Sequence, residues 1–401
     1  MKIPSAKGKE TMGIPQELLK EMAGTRHSLL IGIPKENQEN EKRLAFTPEA
    51  IDMITQAGHT VRLEEGAGAG TNYSDRDYAE SGAEIVSKEQ VFACDLIFKI
   101  APPTEEEIAL MKRKATICSM LQLPDMSADS IKSMCEKSLN AVGYELITDG
   151  STHPVRCSIS EIEGAVSISV ASEFLSNDRG GKGIIMGGVP GVSPTEVVVI
   201  GAGTTGTVAT KAALALGAEV KVFDEDISKL RKLQDTLSRN VFTSVFQPNV
   251  LINAFQSADV VIGAMRYIDE PVRYIISEDV IRTMKKGSLI IDLRINRGGC
   301  FETTCNLQKG HPTVFEKYDV RHYCIQNVSS RVARTTAMVL SNIFTPMIFQ
   351  IGKAGGITQN VKSDIHYRSG LYLYSGKLVN GYVANHFNLP ASDINLYLSV
   401  F

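Results

Sequence analysis

EVVVIGAGTTGTVATKAALALGAEVKVFDED, from Glu196 to Asp226, decides the fold. Its β-branched opening (Val197, Val198, Val199, Ile200) reads as a buried strand, broken by Gly201-Ala202-Gly203-Thr204-Thr205-Gly206. A helical pattern follows, then a second apolar run, Val220-Lys221-Val222-Phe223, closed by Asp224. This order is a βαβ unit with a dinucleotide fingerprint in its expected setting. Each residue type has a task there. Gly201 permits the tight turn, Gly203 lets the backbone approach a pyrophosphate at the helix N-terminus, and Gly206 lets helix and strand pack closely. Asp224 stands 18 residues past Gly206, where a carboxylate accepts hydrogen bonds from a ribose diol and repels a 2′-phosphate. The stretch therefore implies a nucleotide-binding α/β domain that takes NAD rather than NADP. The alternative is a glycine turn that binds nothing, and it leaves the agreement of strand, turn, helix and acid unexplained.

Working outward, the apolar runs Ala258–Ala264 and Gly287–Leu293 read as further strands of the same domain. Upstream, Ser28–Pro34, His59–Leu63, Leu96–Ile100, Thr116–Met120 and Ala141–Glu145 alternate with helical patterns and predict a first α/β domain with a mainly parallel sheet. Thr47 followed by Pro48 is a helix start, with a capping side chain and a proline at the first helical position. Ser158 to Asn177 reads as one long helix, with Ser160 and Glu163 spaced like a capping box. A second helix from about Arg334 to Lys353 returns the chain, and the tail to Phe401 rejoins the first domain. The expected architecture is α/β: two Rossmann-like doubly wound parallel-sheet domains joined by long helices, the nucleotide domain inserted in a discontinuous first domain. Its boundaries are an extension at 1–28, a substrate domain at 29–157 plus 333–401, and a NAD-binding domain at 158–332. A cleft between two such domains is the default binding site.

Composition narrows the function. The chain has 401 residues, is 43% hydrophobic and 22% charged, and carries a net charge of −3, so nothing points to nucleic acid or an anionic membrane. No apolar run reads as a membrane span, and the N-terminus lacks the apolar core of a secretory signal. Seven scattered cysteines without CxxC spacing read as reduced thiols in a cytoplasmic protein. Seven histidines without ligand spacing predict no metal site.

Four stretches carry a resemblance: IGIPKENQENEKRLAFTPEA near the start, GGVPGVSPTEVVVIGAGTTG in the middle, then DLRINRGGCFETT and HYCIQNVSSRVARTTA. With these the chain, from about residue 30 to 355, resembles the alanine dehydrogenase family, to which the soluble nucleotide-binding part of proton-translocating NAD(P) transhydrogenase also belongs. The resemblance implies an NAD-dependent oxidation of L-alanine to pyruvate and ammonia, and a homo-oligomer, hexamer or dimer. That chemistry needs an arginine for the substrate carboxylate, a lysine to polarise the keto or imino group, and a histidine and an aspartate for proton traffic.

Carried over position by position, Arg43 in NEKRLA matches the carboxylate-binding arginine. The family motif KVKEP, whose second Lys is catalytic, reads here Lys99-Ile100-Ala101-Pro102-Pro103, which puts Ala101 at the catalytic position. The substrate histidine of T-x-L-H-L-A is matched by Gln122, and the aspartate ending D-I-A-I-D by Asn296 in Asp292-Leu293-Arg294-Ile295-Asn296-Arg297. Gln and Asn hydrogen-bond but do not shuttle protons near neutral pH. Two residues are placed to compensate. Lys99, two residues before Ala101 on the same strand face, can bring its ammonium to the vacated site, and Arg297 can add an anion contact. Against the first stands a plain solvated lysine at a strand end. For the coenzyme, the resemblance implies contacts from Ser160, Lys229, Met265 and Asn327 beside Gly201, Gly203, Gly206 and Asp224. KIAPPTEEEIAL, from Lys99 to Leu110, is similar to transhydrogenase, whereas GGVPGVSP and GGCFET side with the dehydrogenases. The leading expectation is an amino-acid dehydrogenase of weakened activity on a small 2-amino or 2-oxo acid. The others are a catalytically silent NAD(H)-binding relative and an enzyme of a different imine or amine.

Overall fold

The computed structural model describes residues 27–36, 41–121, 123, 126–237, 239–265, 275–295, 298–305, 307 and 312–399. Most of the expected N-terminal extension and three of the site candidates above, Gln122, Asn296 and Arg297, lie outside the described residues. The chain divides into two compact units, one of residues 1–156 with 332–401, the other of 157–331.

In chain order the strands are β1 (Leu30–Ile33), β2 (Thr60–Glu64), β3 (Glu84–Val86), β4 (Leu96–Phe98), β5 (Thr116–Ser119), β6 (Asn140–Gly143), β7 (Glu196–Ile200), β8 (Glu219–Phe223), β9 (Phe242–Ser244), β10 (Val260–Gly263), β11 (Leu289–Asp292), β12 (Val314–Lys317), β13 (Val320–Tyr323), β14 (Leu371–Tyr374) and β15 (Lys377–Leu378). The first unit holds one sheet of order β15-β14-β6-β5-β4-β1-β2-β3, and the second one of order β12-β13-β11-β10-β7-β8-β9. β1 to β6 pair in parallel, while β14 runs antiparallel to β6 and β15 to β14. In the second sheet only β12 is antiparallel, along β13. Both sheets are doubly wound. Each starts in the middle, steps one way (β1 to β3, β7 to β9), then returns to the other side. The reversal lies between β1 and β4 in one unit and between β7 and β10 in the other, and crevices beyond the carboxyl ends of such strand pairs are where ligands bind.

The core strands are runs of β-branched residues because both sheet faces are covered. Val198, Ile200, Val261 and Ile290 pack with Phe223, Phe255 and Phe301 in the second unit. Ile97, Ile117 and Ala141 pack with Phe92, Ile131 and Tyr372 in the first. Helix α1 (Pro48–Gln56) starts as its sequence requires: Thr47 accepts from the N–H of Ala50 and Pro48 takes the first turn. Three further helices matter for the sites: α2 (Glu105–Leu110), α3 (Pro154–Leu175) and α4 (Thr204–Ala215). The last long helix is α5 (Ala333–Ala354).

Two expectations are corrected here. The helix expected from Ser158 begins at Pro154, whose missing N–H costs nothing in a first turn, so Ser160 is an interior helical residue and not a cap. And one stretch, Val328–Ala354, is long and apolar enough to cross a membrane by length and composition, although 56% of its most apolar window is buried inside the protein. Its buried residues, among them Leu340, Phe344 and Ile348, make α5 a core helix of the first unit. All seven cysteines are free thiols.

Candidate functional site

In the second unit the glycine turn joins β7 to α4. Gly201 has φ +109°, and a Cβ on it would meet the backbone N of Met265 at 2.8 Å. A Cβ on Gly206 would lie 1.8 Å from the Gly201 carbonyl oxygen, so only glycine lets α4 sit on its turn. A Cβ on Gly203 would meet nothing within 4 Å. Gly203 is the N-cap of α4 and offers no side-chain cap to the first-turn N–H groups. Those donors, at the positive end of a 12-residue helix beside open space, suit an anion. The residues thus fit a dinucleotide diphosphate.

Asp224 follows β8 and is buried. Its Oδ2 accepts the N–H of Ala202 at 2.7 Å and its Oδ1 that of Asp226 at 2.9 Å. A carboxylate oxygen accepts more than one donor, so a ribose diol can still bind. Lys229 stands 3.8 Å from Asp224 and is half-exposed. Met265 is buried at the end of β10, its carbonyl taking the Cys300 thiol at 3.3 Å. Ser160 lies one turn before Gly164 on α3, and a Cβ on Gly164 would lie 2.4 Å from the Thr205 carbonyl oxygen, so this face of α3 rests on the first turn of α4. Asn327 adopts the left-handed conformation at φ 53° and its carbonyl accepts the N–H of Ser330 at 2.7 Å.

Sequence reasoning missed two residues here. Asp292 ends β11 and accepts the N–H groups of Arg294 (2.9 Å) and Cys300 (2.8 Å) and the Thr304 hydroxyl (2.5 Å). It thereby ties the backbone of Arg294 to that of Cys300. Burial pushes its carboxyl up, against these three donors. Arg294 binds the Thr205 hydroxyl and the Ala264 carbonyl oxygen. The signal for it was present, an arginine inside an apolar strand-end motif.

In the first unit the switch point gathers charge. Arg43 is buried and forked onto Glu41, with Nε to Oε1 at 2.7 Å and Nη2 to Oε2 at 2.5 Å. Lys99, just past β4, is 2% exposed, so the solvated strand-end alternative is overturned. Its Nζ donates to Glu36 Oε2 at 2.6 Å and stands 3.8 Å from Glu107 on α2. The same Glu36 carboxylate accepts the N–H of Ile100 (2.6 Å) and of Ala101 (3.3 Å). One carboxylate therefore ties the Lys99 ammonium to the backbone of Ala101. Burial pulls the Lys99 ammonium down, but Glu36 and Glu107 outweigh it and hold it above its usual value. It is a fixed cation and not a general base. Burial pushes the Glu36 carboxyl up, opposed chiefly by Lys99. Beside this cluster, Glu145 beyond β6 accepts the N–H of Leu121 at 2.8 Å. Among the described residues no group of histidine, cysteine, aspartate and glutamate is spaced to hold a metal.

The chain is similar to known proteins over most of its length. Models of the alanine dehydrogenase/PNT N-terminal and C-terminal domains match residues 32–162 and 167–381. The chain is 34% identical over 369 residues to an alanine dehydrogenase of Staphylococcus saprophyticus, covering 91% of this chain and 99% of that one. It is 32% identical over 357 residues to the alanine dehydrogenase of Bacillus subtilis, covering 89% and 94%. A solved L-alanine dehydrogenase superposes with a TM-score of 0.83 at 28% identity, covering 90% of this chain and 99% of that one. A transhydrogenase from Sinorhizobium meliloti shares the fold, with a TM-score of 0.72 at 22% identity over 88% of this chain and 99% of its own. The chain belongs to the alanine dehydrogenase/PNT family, with two Rossmann-like units.

Proposed function

We propose that the chain is an NAD-dependent dehydrogenase of a small 2-amino or 2-oxo acid, with L-alanine as its default substrate and with weakened acid–base chemistry. The observation that carries this is the contrast between its two units: an intact dinucleotide turn in one, and in the other a buried Arg43 together with a buried Ala101 at the position that the family motif gives to its catalytic lysine. When bound, NAD supplies the hydride acceptor. Arg43 presents its guanidinium to the substrate carboxylate. Lys99, fixed by Glu36, and Gln122 orient and polarise the substituent on the reacting carbon. Asn296, at the position of the family aspartate, is assigned to the nicotinamide side by the resemblance alone. Gly203, the first turn of α4, Asp224, Lys229, Ser160, Met265 and Asn327 bind and orient the coenzyme. Without Lys, His and Asp at their family positions, proton transfer falls to water and to hydrogen bonds. Each lost acid–base group costs about 10²–10⁴ in rate, and such losses do not simply add. We place the protein in the cytoplasm as a homo-oligomer.

A second reading has one observation in its favour. Arg43 and Lys99 are each already held by a buried carboxylate, Glu41 and Glu36, which suits a chain that binds NAD(H) and no acid. NADH formation from NAD and a panel of L-amino acids at alkaline pH separates the two. Steady turnover on any of them supports the dehydrogenase. A flat trace from folded protein that still binds NADH overturns it in favour of the binding module.

A further inference from the structure

The glycine turn has a neighbour outside its own loop: Arg294, two residues past the end of β11. Its side chain is only 16% exposed. Nη2 donates to Thr205 Oγ1 at 2.5 Å and Nε donates to the Ala264 carbonyl oxygen at 3.3 Å. Glu163 on α3 stands 3.7 Å from Nη1, close enough for attraction and too far for a hydrogen bond. A guanidinium carries five N–H donors. Two are used here, so among the described residues three have no hydrogen-bond partner.

Thr205 is the second residue of α4, so the guanidinium lies beside the first-turn N–H groups that Gly203 leaves uncapped. Spare donors on a mostly buried cation at this place are complementary to a phosphate oxygen, which the planar fork of arginine grips better than a point charge would. We propose that Arg294 is a pyrophosphate-binding residue, exchanging its loose pairing with Glu163 for the diphosphate of the dinucleotide. The proposal rests on reading the glycine turn as a dinucleotide site.

The test is calorimetric titration of the full chain with NADH and with ADP-ribose, which keeps the diphosphate and lacks the nicotinamide. R294M keeps the packing and loses the donors, and both ligands should weaken by the same factor, about 10- to 100-fold. R294K should recover a good part of that loss, and E163Q should bind at least as tightly as wild type. Unchanged affinity in R294M overturns the proposal, and so does weakened NADH binding with ADP-ribose unaffected. A loss that lysine does not restore, together with a lowered melting temperature without ligand, makes Arg294 a brace of the turn and also overturns it. Wild type that binds neither ligand overturns the dinucleotide reading itself.

Discussion

Asp224 Oδ2 and the backbone N–H of Ala202 are 2.7 Å apart and hydrogen-bonded, so the acid that ends β8 also braces the glycine turn. D224A leaves that buried N–H without its acceptor, which costs about 1–3 kcal/mol. D224A should therefore melt lower than wild type, and D224N, which keeps an acceptor, should melt between them. In both variants NADP should gain on NADH, because the carboxylate that repels a 2′-phosphate is gone. An unchanged ratio of the two dissociation constants would remove Asp224 from the ribose site.

Gly203 and Gly206 separate binding from folding. Gly203 has an ordinary φ of −72° and open space where a Cβ would go. G203A should fold with its stability nearly unchanged while its NADH affinity falls about tenfold or more, an amount equal to roughly 1.4 kcal/mol. In G206A the new methyl meets the Gly201 carbonyl oxygen, and the strain should cost about 1–3 kcal/mol or more. Urea melts and NADH titrations of the pair check this. The prediction fails if G203A binds normally or if G206A is as stable as wild type.

Lys99 is held between Glu36 at 2.6 Å and Glu107 at 3.8 Å. Replacing it with methionine leaves the buried Glu36 carboxylate without its cation, and breaking such a pair costs about 3–5 kcal/mol. K99M should be strongly destabilised, and K99M/E36Q should regain part of the loss. If K99M instead keeps full stability, the charge cluster is not what holds the ends of β1 and β4 together.

His322 gives the second unit a pH dependence. It is fully buried, its ring stacked on Phe315 with centroids 4.7 Å apart, Nδ1 facing the Val320 carbonyl oxygen and Nε2 facing the Thr303 hydroxyl. Burial lowers its pKa from 6.5 to about 4. The unfolded chain therefore binds the extra proton first. The stability due to the neutral ring is complete above pH 6.5 and declines as pH falls toward 4, by about 3 kcal/mol at 1.36 kcal/mol per unit. H322N should be less stable at neutral pH, with a flatter profile across that window. A profile identical to wild type would contradict the assignment.

Much of the architecture was legible in local sequence, and what was hidden depended on long-range contacts. The β7–α4–β8 unit could be read because its strands are β-branched runs and its turn needs glycine at fixed offsets. Thr47-Pro48 announced α1 for the same local reason. The strands β3 and β9 were not seen, since three residues at a sheet edge carry too little pattern. The start of α3 was misplaced because Ser160 and Glu163 imitate a cap inside a helix that Pro154 had already opened. The setting of Lys99 was out of reach, because its hydrogen-bonded partner Glu36 is 63 residues away and only the pairing of β1 with β4 brings them together. Arg294 is the reverse case, visible in the motif but without meaning until Thr205 and Ala264 were found beside it.

The central claim is a sound coenzyme site joined to weakened amino-acid chemistry. Its most direct test is the rate of NADH formation from NAD and L-alanine at alkaline pH, measured beside an alanine dehydrogenase that carries the family Lys, His and Asp, with NADH binding measured on the same samples. The account predicts comparable NADH binding and a rate at least about 10²-fold lower, the loss typical of one missing acid–base group. Equal rates on alanine would contradict it, and would place the acid–base groups of this chain outside positions 101, 122 and 296.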